Sequence, residues 1–296
     1  MGESVRLRPY FIVNPVAGGG KAKEKFEAVR RYLDGRGAEY SFIETEKAGE
    51  TARLALEAYE RGERFIVPAG GDGTLSETVS ALYDKGDVLM GLCPFGTGND
   101  FARALKLPDD PAEAARILIE GEPKPIDAGL AGDKPFINIM GLGFDVDVVN
   151  NTDRYKKRFG GGAYLMGVIR SMTHLKGIPL RLTANGSTFE ENALIMTVAN
   201  GTHFGGGMNP APGADPSDGL FDVCIVRKVG FFTFLRLLPK FIKGTHIGVK
   251  QVSFFRTAEL KIECESTPLE LDGELGEFAP LTVMIRKGAL RFMLDT

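Results

Sequence analysis

The sequence has 296 residues, of which 43% are hydrophobic and 25% are charged, and its formal net charge at pH 7 is -3. This composition is typical of a folded globular chain that is long enough for two hydrophobic cores. Nucleic-acid-binding domains usually carry a marked basic excess, so the acidic balance predicts no nucleic-acid partner. The three cysteines are far apart and lack metal-type spacing, which predicts buried thiols in a reducing compartment.

Short apolar strands alternate with amphipathic helices over the first 130 residues. The predicted strands are Tyr10 to Val13, Tyr40 to Ile43, Phe65 to Pro68 and Leu89 to Cys93. Apolar residues at helical spacing predict helices over Ala22 to Leu33 and Leu75 to Leu82, and Asp110 followed by Pro111 predicts a third helix start. Alternation of this kind predicts a mostly parallel sheet, whose ligands bind beyond the carboxyl ends of the strands.

The pattern changes after Gly129, where apolar residues recur with a period of two. These segments are Leu180 to Ala184, Ala193 to Ala199, Leu220 to Val226 and Ala258 to Cys264. Asn185-Gly186 is typical of a hairpin turn. We therefore expect an α/β nucleotide-binding domain with a mostly parallel sheet over residues 1–130, then an antiparallel β-sandwich-like domain over residues 131–296. This division leaves open that the last strand or helix returns to the first domain. We expect the ligand cleft between the domains.

Glycine-rich turns follow three of the predicted strands. They are Asn14-Pro15-Val16-Ala17-Gly18-Gly19-Gly20, Gly70-Gly71-Asp72-Gly73-Thr74 and Gly96-Thr97-Gly98-Asn99-Asp100. Glycine lets the main chain approach a polyphosphate closely, and the amides at a following helix start donate hydrogen bonds to its oxygens. Asp72 adds a carboxylate suited to Mg²⁺. Neither a Walker A motif nor a complete G-x-G-x-x-G occurs, which argues against a P-loop enzyme or a dinucleotide dehydrogenase.

Together these turns resemble the bacterial diacylglycerol kinase catalytic family, which is related to the sphingosine and ceramide kinases. Further segments resemble markers of that family in the same order: Gly141-Leu142-Gly143-Phe144-Asp145, Pro210-Ala211-Pro212-Gly213-Ala214, Asp218-Gly219-Leu220 and Leu271-Asp272-Gly273-Glu274. The Gly-Gly-Asp-Gly-Thr turn alone is shared with NAD kinases and phosphofructokinases. The later markers therefore carry the specificity of the resemblance.

The resemblance implies roles for individual residues. The ATP-contacting positions would be Asn14, Thr45, Gly70, Gly71, Asp72, Gly73, Thr74, Leu75, Ser76, Glu77 and Thr97. The carboxylates of a Mg²⁺ and water network would be Asp72, Asp100 and Asp127. A structural cation would bind Asp215, Asp218 and the carbonyl of Leu220, although Asp218-Gly219 is also a plain turn.

Catalysis is assigned by the same resemblance to the Leu271 to Glu274 segment. Glu274 matches the proposed general base, with Asp272 beside it, and a carboxylate can accept the proton of a lipid hydroxyl as that hydroxyl attacks phosphorus. Asp272-Gly273 is also a strong turn signal. The predicted reaction is transfer of the γ-phosphate of ATP to a lipid hydroxyl, most simply diacylglycerol to phosphatidate. An NAD kinase and a nucleotide-binding regulator without turnover remain alternatives, and a homodimer is left open.

A lipid acceptor requires contact with a bilayer, and two segments are candidates for it. We found neither a secretory leader nor an apolar stretch of membrane-spanning length, which predicts a cytoplasmic protein in transient contact with the inner face of the membrane. Phe231 to Lys243 puts Arg236, Lys240 and Lys243 on one helical stripe with wide apolar surface opposite. The second candidate is Arg154 to Arg158 with the apolar segment Ala163 to Met166. The alternative is that these helices only pack their apolar faces onto the β domain.

Overall fold

The computed structural model describes residues 8–143, 177–265, 268–277 and 280–296. The chain forms two compact units. The first contains the described residues up to Ala128, together with Pro216–Asp218 and Arg286–Thr296. The second contains the described residues of 129–215 and 219–285. The predicted basic segment Arg154 to Arg158 and the apolar segment Ala163 to Met166 that follows it lie outside the described residues.

The first unit is a parallel sheet flanked by helices. Its strands are β1 (Tyr10–Val13), β2 (Ser41–Glu44), β3 (Phe65–Gly70), β4 (Leu89–Met90) and β5 (Cys93–Pro94). Its helices are α1 (Ala22–Gly35), α2 (Thr51–Glu60), α3 (Asp72–Leu82), α4 (Asp100–Ala104) and α5 (Pro111–Glu120). Strand β1 lies between β2 and β3, and β3 also pairs in parallel with β4 and β5. The predicted α/β character of this part of the chain is confirmed.

Apolar strands and one face of each major helix form the core of the first unit. Phe11 and Val13 of β1, together with Phe65 and Val67 of β3, are fully buried or nearly so. The face of α1 that the sequence predicts is the buried one, namely Ala22, Phe26, Val29 and Leu33. Because both faces of a parallel sheet are covered, its strands are continuous apolar runs rather than alternating ones.

Of two local predictions in the first unit, one needs correction and the other is confirmed. The single strand expected over Leu89 to Cys93 is instead two short strands, separated by Gly91 and Leu92. The amide of Gly91 still donates to the carbonyl of Ile66 at 3.1 Å, and a Cβ on Gly91 would meet the side chain of Leu118. The predicted helix start is confirmed: the Asp110 side chain accepts hydrogen bonds from the amides of Ala112 and Glu113 at 3.0 and 2.9 Å.

The second unit is built on antiparallel strands. They are β6 (Glu122–Ala131), β7 (Lys134–Phe136), β8 (Ile139–Gly143), β9 (Ile178–Ala184), β10 (Ser187–Ala199), β11 (Phe221–Arg227), β12 (Val252–Thr257), β13 (Glu259–Glu263), β14 (Pro268–Leu271), β15 (Glu274–Glu277) and β16 (Leu281–Leu294). Strands β6 and β16 also supply residues to the first unit, where Phe292 pairs with Met90. The antiparallel β-rich part that the sequence predicts is confirmed.

Hairpin and alternation signals in the second unit agree with the sequence. Asn185 and Gly186 both have positive φ and connect β9 to β10, with Ala184 opposite Ser187. Leu180, Leu182 and Ala184 are buried, whereas Arg181 between them is exposed. The alternation follows because successive side chains of a strand point to opposite faces of the sheet.

One helix of the second unit, α6 (Phe231–Ile242), matches the predicted segment. Pro239 lies inside it but does not end it, although a proline in a helix interior usually weakens the helix. A proline removes one main-chain donor, and Pro239 is on an exposed side of the helix, where the solvent can satisfy the carbonyl that loses its partner. The helix ends at Ile242 with Lys243 as its C-cap, and the next residue, Gly244, has a φ of 69°, which suits glycine at this position. Within the described ranges, no helix has the length and apolar composition that crossing a bilayer requires.

Candidate functional site

Three glycine-rich turns meet at one edge of the first unit's sheet. They follow β1, β3 and β5, which are neighbours in that sheet and run parallel. Between the turns lies an open cavity of about 280 Å³. It is lined by Asn14, Ala17, Gly18, Thr45, Lys47, Ala48, Gly49, Thr51, Gly71, Gly73, Thr74, Glu77, Gly96 and Thr97. The convergence that strand order implies is therefore present in the structure.

The second and third turns pack closely at two of their glycines. A Cβ on Gly96 would overlap the Cα of Gly71, and a Cβ on Gly71 would lie 3.2 Å from the Cα of Gly96. A Cβ on Gly73, by contrast, would have no heavy atom within 4 Å. Gly71 and Gly96 thus allow main chain to pack on main chain, whereas Gly73 leaves open space at the start of α3. An absent side chain beside a helix N-terminus is what a bound phosphate requires.

Asn14 connects the first turn to the start of α3. Its side-chain amide donates to Thr74 Oγ1 at 3.3 Å, and its main-chain amide donates to the carbonyl of Ala69 at 2.9 Å. Its Oδ1 accepts from the amide of Val16, also at 3.3 Å. Thr74 is buried. These contacts make Asn14 a fixed wall of the cavity rather than a mobile side chain.

Asp72 organises the third turn from the second. Its Oδ1 accepts the amide of Asp100 at 2.7 Å and that of Phe101 at 3.4 Å, so it supplies the acceptor for the first amides of α4. Asp100 is the first residue of this helix, and Asn99 precedes it as the N-cap with a φ of 51°. Asp100 is buried and pairs with Arg103, with 2.7 Å between Oδ1 and Nη1.

The predicted ATP-contacting residues divide into two groups. Seven line the cavity: Asn14, Thr45, Gly71, Gly73, Thr74, Glu77 and Thr97. The other four do not: Gly70, Asp72, Leu75 and Ser76. Leu75 is 1% exposed, so its side chain belongs to the core and only its main chain remains for a ligand. The glycine turns are thus accessible mainly on the side that faces Thr45.

Beyond Thr45, sequence reasoning missed the part of the chain after β2 that lines the cavity. Lys47, Ala48, Gly49 and Thr51 line it there. Glu50 holds this loop: its Oε2 accepts the amides of Glu46 at 2.8 Å and of Lys47 at 3.2 Å. The hydrogen bond from Glu46 is the main cause that lowers the pKa of Glu50. The signal was available, because β2 also ends at the edge where the glycine turns lie.

Glu77 joins this loop to α3. Its Oε2 accepts the amide of Thr51 at 2.9 Å, at the start of α2. A carboxylate at a helix N-terminus satisfies a donor that lacks an intrahelical acceptor. Glu77 therefore shapes the cavity wall. The lining also contains a lysine, Lys47, which brings a positive charge to the cavity.

The three predicted network carboxylates occupy different surroundings. Asp72 and Asp100 are linked through the amide of Asp100. Asp127 is 1% exposed, and its Oδ1 accepts the amide of Gly288 at 2.7 Å. In the described ranges, no three acidic, histidine or cysteine side chains are grouped so that they could hold one ion. Mg²⁺ needs only one or two carboxylates when phosphates and waters complete its shell, and the role of Asp72 and Asp100 as its ligands stays a prediction.

The residues predicted for a structural cation lie on either side of the division between the units. Asp218 belongs to the first unit, where its carbonyl accepts from Lys287 Nζ at 3.5 Å, whereas Asp215 and Leu220 belong to the second. Gly219 has a φ of 84°, as a turn at this point requires. The turn interpretation is thus met by the backbone, and the cation stays a prediction.

Glu274 begins β15 directly after a two-residue turn. Leu271 pairs with Glu274, and Asp272 and Gly273 between them both have positive φ. Asp272 Oδ1 accepts the amides of Asn138 at 2.9 Å and Ile139 at 3.0 Å, and its Oδ2 accepts that of Ile137 at 2.7 Å. A carboxylate engaged by three amides is a poor proton acceptor, because the hydrogen bonds favour its charged form. Asp272 is a positioning residue for the turn, and Glu274 is exposed.

The fold and the cavity define a class of protein: an α/β nucleotide-binding unit followed in the chain by an antiparallel β-rich unit. Two family models match the sequence. The diacylglycerol kinase catalytic domain matches residues 8–131. The YegS C-terminal NAD kinase beta sandwich-like domain matches residues 138–294.

Similar proteins agree with these matches. A diacylglycerol kinase of Bacillus subtilis (strain 168) is 31% identical over 277 residues, which is 92% of this chain and 91% of that protein. A protein of Chromohalobacter salexigens that carries the name of a YegS-like lipid kinase is 36% identical over 241 residues, or 78% and 76% of the two chains. The chain belongs to the diacylglycerol kinase catalytic family, whose members are ATP-dependent lipid kinases.

A solved structure shares the whole fold. It comes from Bacillus anthracis str. Sterne and is described as a candidate diacylglycerol kinase. The TM-score is 0.82 at 26% sequence identity, and the alignment covers 98% of both chains. The order of an α/β unit and a β-rich unit is thus common to both proteins.

Proposed function

We propose that this kinase transfers the γ-phosphoryl group of ATP to the hydroxyl of diacylglycerol and forms phosphatidate and ADP. The observation that carries the proposal is the cavity at the ends of β1, β3 and β5, lined by Gly71, Gly73 and Gly96. It occurs in a chain whose relatives include proteins named diacylglycerol kinase. The YegS-like relative shows why the acceptor is a proposal, since its name specifies only a lipid kinase.

The triphosphate would lie along the second glycine turn. The first amides of α3 have no intrahelical acceptor and carry the positive end of the helix dipole, so they suit phosphate oxygens. Lys47 would add a positive charge from the loop after β2, which Glu50 holds in place. Asn14 and Thr97 would supply polar contacts at the two ends of the cavity wall.

Asp72 and Asp100 would hold Mg²⁺ together with phosphate oxygens and water. When bound, the ion neutralises charge on the phosphates and on the transferring group. Asp72 contributes whether or not the ion is present, because its carboxylate also fixes the third turn. Arg103 pairs with the buried carboxylate of Asp100 at 2.7 Å and balances its charge.

Glu274 would act as the general base. The acceptor hydroxyl oxygen forms a bond to the γ-phosphorus, the bond from that phosphorus to the bridging oxygen of ADP breaks, and the hydroxyl proton passes to the Glu274 carboxylate. The turn that carries Glu274 is held by Asp272 through three amides. In this arrangement Asp272 positions the base.

An acceptor panel tests the proposal. Purified protein is incubated with labelled ATP and Mg²⁺, with diacylglycerol, other lipid alcohols and NAD as separate acceptors, and with a chelator in a parallel series. We expect label in phosphatidate, dependent on the divalent ion. Transfer to NAD alone would make the protein an NAD kinase. ATP binding with no transfer to any acceptor would make it a regulator, and transfer only to another lipid alcohol would replace diacylglycerol.

A further inference from the structure

Helix α6 has an apolar face that the core already uses. Phe234, Leu237 and Phe241 are 2%, 6% and 4% exposed and belong to a core cluster with residues of β10 and β11. Their spacing of three and four residues puts them on one side of the helix. The alternative that α6 packs an apolar face onto the β-rich unit is therefore correct for this side.

A second apolar face of α6 is exposed, which the sequence alone did not reveal. Phe232 is 77% exposed, Phe231 is 46%, and Leu235 and Ile242 are each 43%. With 3.6 residues per turn these four side chains fall on one side, about a third of a turn from the buried face. We call them the outer face of α6. The rings of Phe231 and Phe232 contact each other edge to face, with 5.5 Å between centroids.

A basic stripe borders the outer face. Arg236, Lys240 and Lys243 are spaced by four and three residues and are exposed. In the ranges that the structure describes, no acidic side chain forms an ion pair with them. Buried apolar residues, exposed apolar residues and cations thus occupy three successive sectors of a single helix.

Exposed aromatic and aliphatic side chains next to unpaired cations favour an anionic bilayer as the covering surface. Burying each of the large apolar side chains of the outer face is favourable, and the interfacial region of a membrane accepts side chains of this type. Lysine and arginine beside such a face are attracted to anionic headgroups. A second copy of the chain fits less well, because a symmetric contact would bring two copies of the basic stripe together.

We propose that the outer face of α6 is a membrane-docking surface, with Phe231, Phe232 and Leu235 entering the headgroup region and the basic stripe contacting lipid phosphates. The proposal deepens the proposed function, because diacylglycerol resides in a bilayer. Membrane binding by α6 nevertheless requires neither ATP nor turnover. Docking and phosphoryl transfer can therefore be measured separately.

Sedimentation with vesicles tests the docking surface. The vesicles contain phosphatidylcholine alone or phosphatidylcholine with phosphatidylglycerol, and no nucleotide is added. The variants are Phe232→Ser with Leu235→Ser, and Arg236→Glu with Lys240→Glu. Because these side chains are exposed, we expect unchanged thermal unfolding. The matched controls are Leu56→Ser, an exposed leucine of α2, and Lys23→Glu with Arg31→Glu, two exposed cations of α1.

We expect the wild type and both controls to bind the anionic vesicles. The serine variant should lose roughly tenfold or more in vesicle affinity. The charge-reversed variant should lose its preference for phosphatidylglycerol. Equal binding of wild type and both α6 variants, or no binding by the wild type, would overturn the proposal.

Two further readouts separate the remaining outcomes. If the wild type is a dimer and the serine substitutions make it monomeric without changing vesicle binding, the outer face is an interface between copies and the proposal is wrong. With diacylglycerol as acceptor, both α6 variants should lose turnover on vesicle-embedded substrate relative to a short-chain diacylglycerol dissolved as monomers. If no acceptor is phosphorylated but vesicle binding still depends on α6, the docking surface stands and the proposed function fails.

Discussion

Asp72 Oδ1 accepts the main-chain amide of Asp100 at 2.7 Å, which ties the glycine turn after β3 to the turn after β5. It also accepts the amide of Phe101 at 3.4 Å. Gly71 and Gly96 meet in the same place. One carboxylate therefore has two tasks: it assembles the edge of the cavity, and it is a proposed Mg²⁺ ligand.

Two substitutions at Asp72 separate these tasks. Asp72→Asn keeps an oxygen acceptor for the two amides, so we expect near-normal thermal unfolding but loss of most turnover, because the negative charge is gone. Asp72→Ala also leaves the amides without their acceptor, at a cost of about 1–3 kcal/mol. Calorimetric unfolding and a turnover assay give the answer. Equal unfolding temperatures for both variants would show that Asp72 does not hold the third turn.

Alanine substitutions at Gly73 and Gly96 make a matched test of the cavity. A methyl group at Gly73 has open space and adds helix propensity of up to about 1 kcal/mol, so Gly73→Ala should fold well yet bind ATP more weakly. Gly96→Ala forces its methyl group against Gly71 and should destabilise the first unit by about 1–3 kcal/mol. Denaturant unfolding with ATP titration distinguishes them. Full ATP affinity in Gly73→Ala would place the phosphates elsewhere.

Glu274 and Asp272 should differ sharply in kinetics. Glu274→Gln should retain ATP affinity and lose turnover by about 100- to 10,000-fold, as expected when a general base is removed. Asp272→Asn replaces one of the two acceptor oxygens with an NH2 group, which leaves at least one of the three amides facing a donor, so it should destabilise the turn and also lower turnover. Near-normal turnover in Glu274→Gln would eliminate Glu274 as the base. Loss of turnover in Asp272→Asn with unchanged stability would contradict its positioning role.

The predicted role of Lys47 in ATP binding depends most on the tertiary structure. Lys47→Met should weaken ATP binding roughly tenfold or more, the loss expected for one charge-assisted hydrogen bond. The control is Lys85→Met, because Lys85 pairs with Asp84 at 3.1 Å and does not line the cavity. Isothermal titration with a non-hydrolysable ATP analogue measures both. Equal affinities would remove Lys47 from the nucleotide site.

His246 predicts a pH dependence in the second unit. It is 1% exposed, its Nε2 lies 3.0 Å from the carbonyl of Pro210, and it contacts Phe241 of α6. Burial lowers the pKa of His246 below its ordinary value of 6.5. The unfolded chain then binds the proton more readily, so the stability contribution is complete above pH 6.5 and is lost as the pH falls below it.

Urea unfolding across this pH range measures the effect. Wild type should lose stability on acidification, and His246→Gln, which retains a donor for the Pro210 carbonyl, should lose less. The carboxylates titrate equally in both proteins, so the difference reports on His246. An identical pH dependence in the two proteins would show that His246 does not carry it.

The sequence predicted the parts of the fold that depend on local pattern. Apolar runs, the Asn185-Gly186 turn and the Asp110 cap each act through neighbouring residues, and each lies where expected. The convergence of the three glycine turns also followed from the sequence, because parallel strands end at one edge of a sheet. The family resemblance came from motifs of the same local kind.

Tertiary structure decided which residues of those motifs face the cavity and which hold it together. The Asp272 carboxylate meets the amide of Asn138 across 134 positions, and Asp72 meets Asp100 across 28. Lys47 reaches the cavity because β2 lies beside β1. The sequence could not distinguish the buried apolar face of α6 from the exposed one, because the hydrophobicity of a residue does not show which neighbour covers it. Chain order determines local structure, whereas hydrogen bonds and burial between distant segments exist only once the chain has folded.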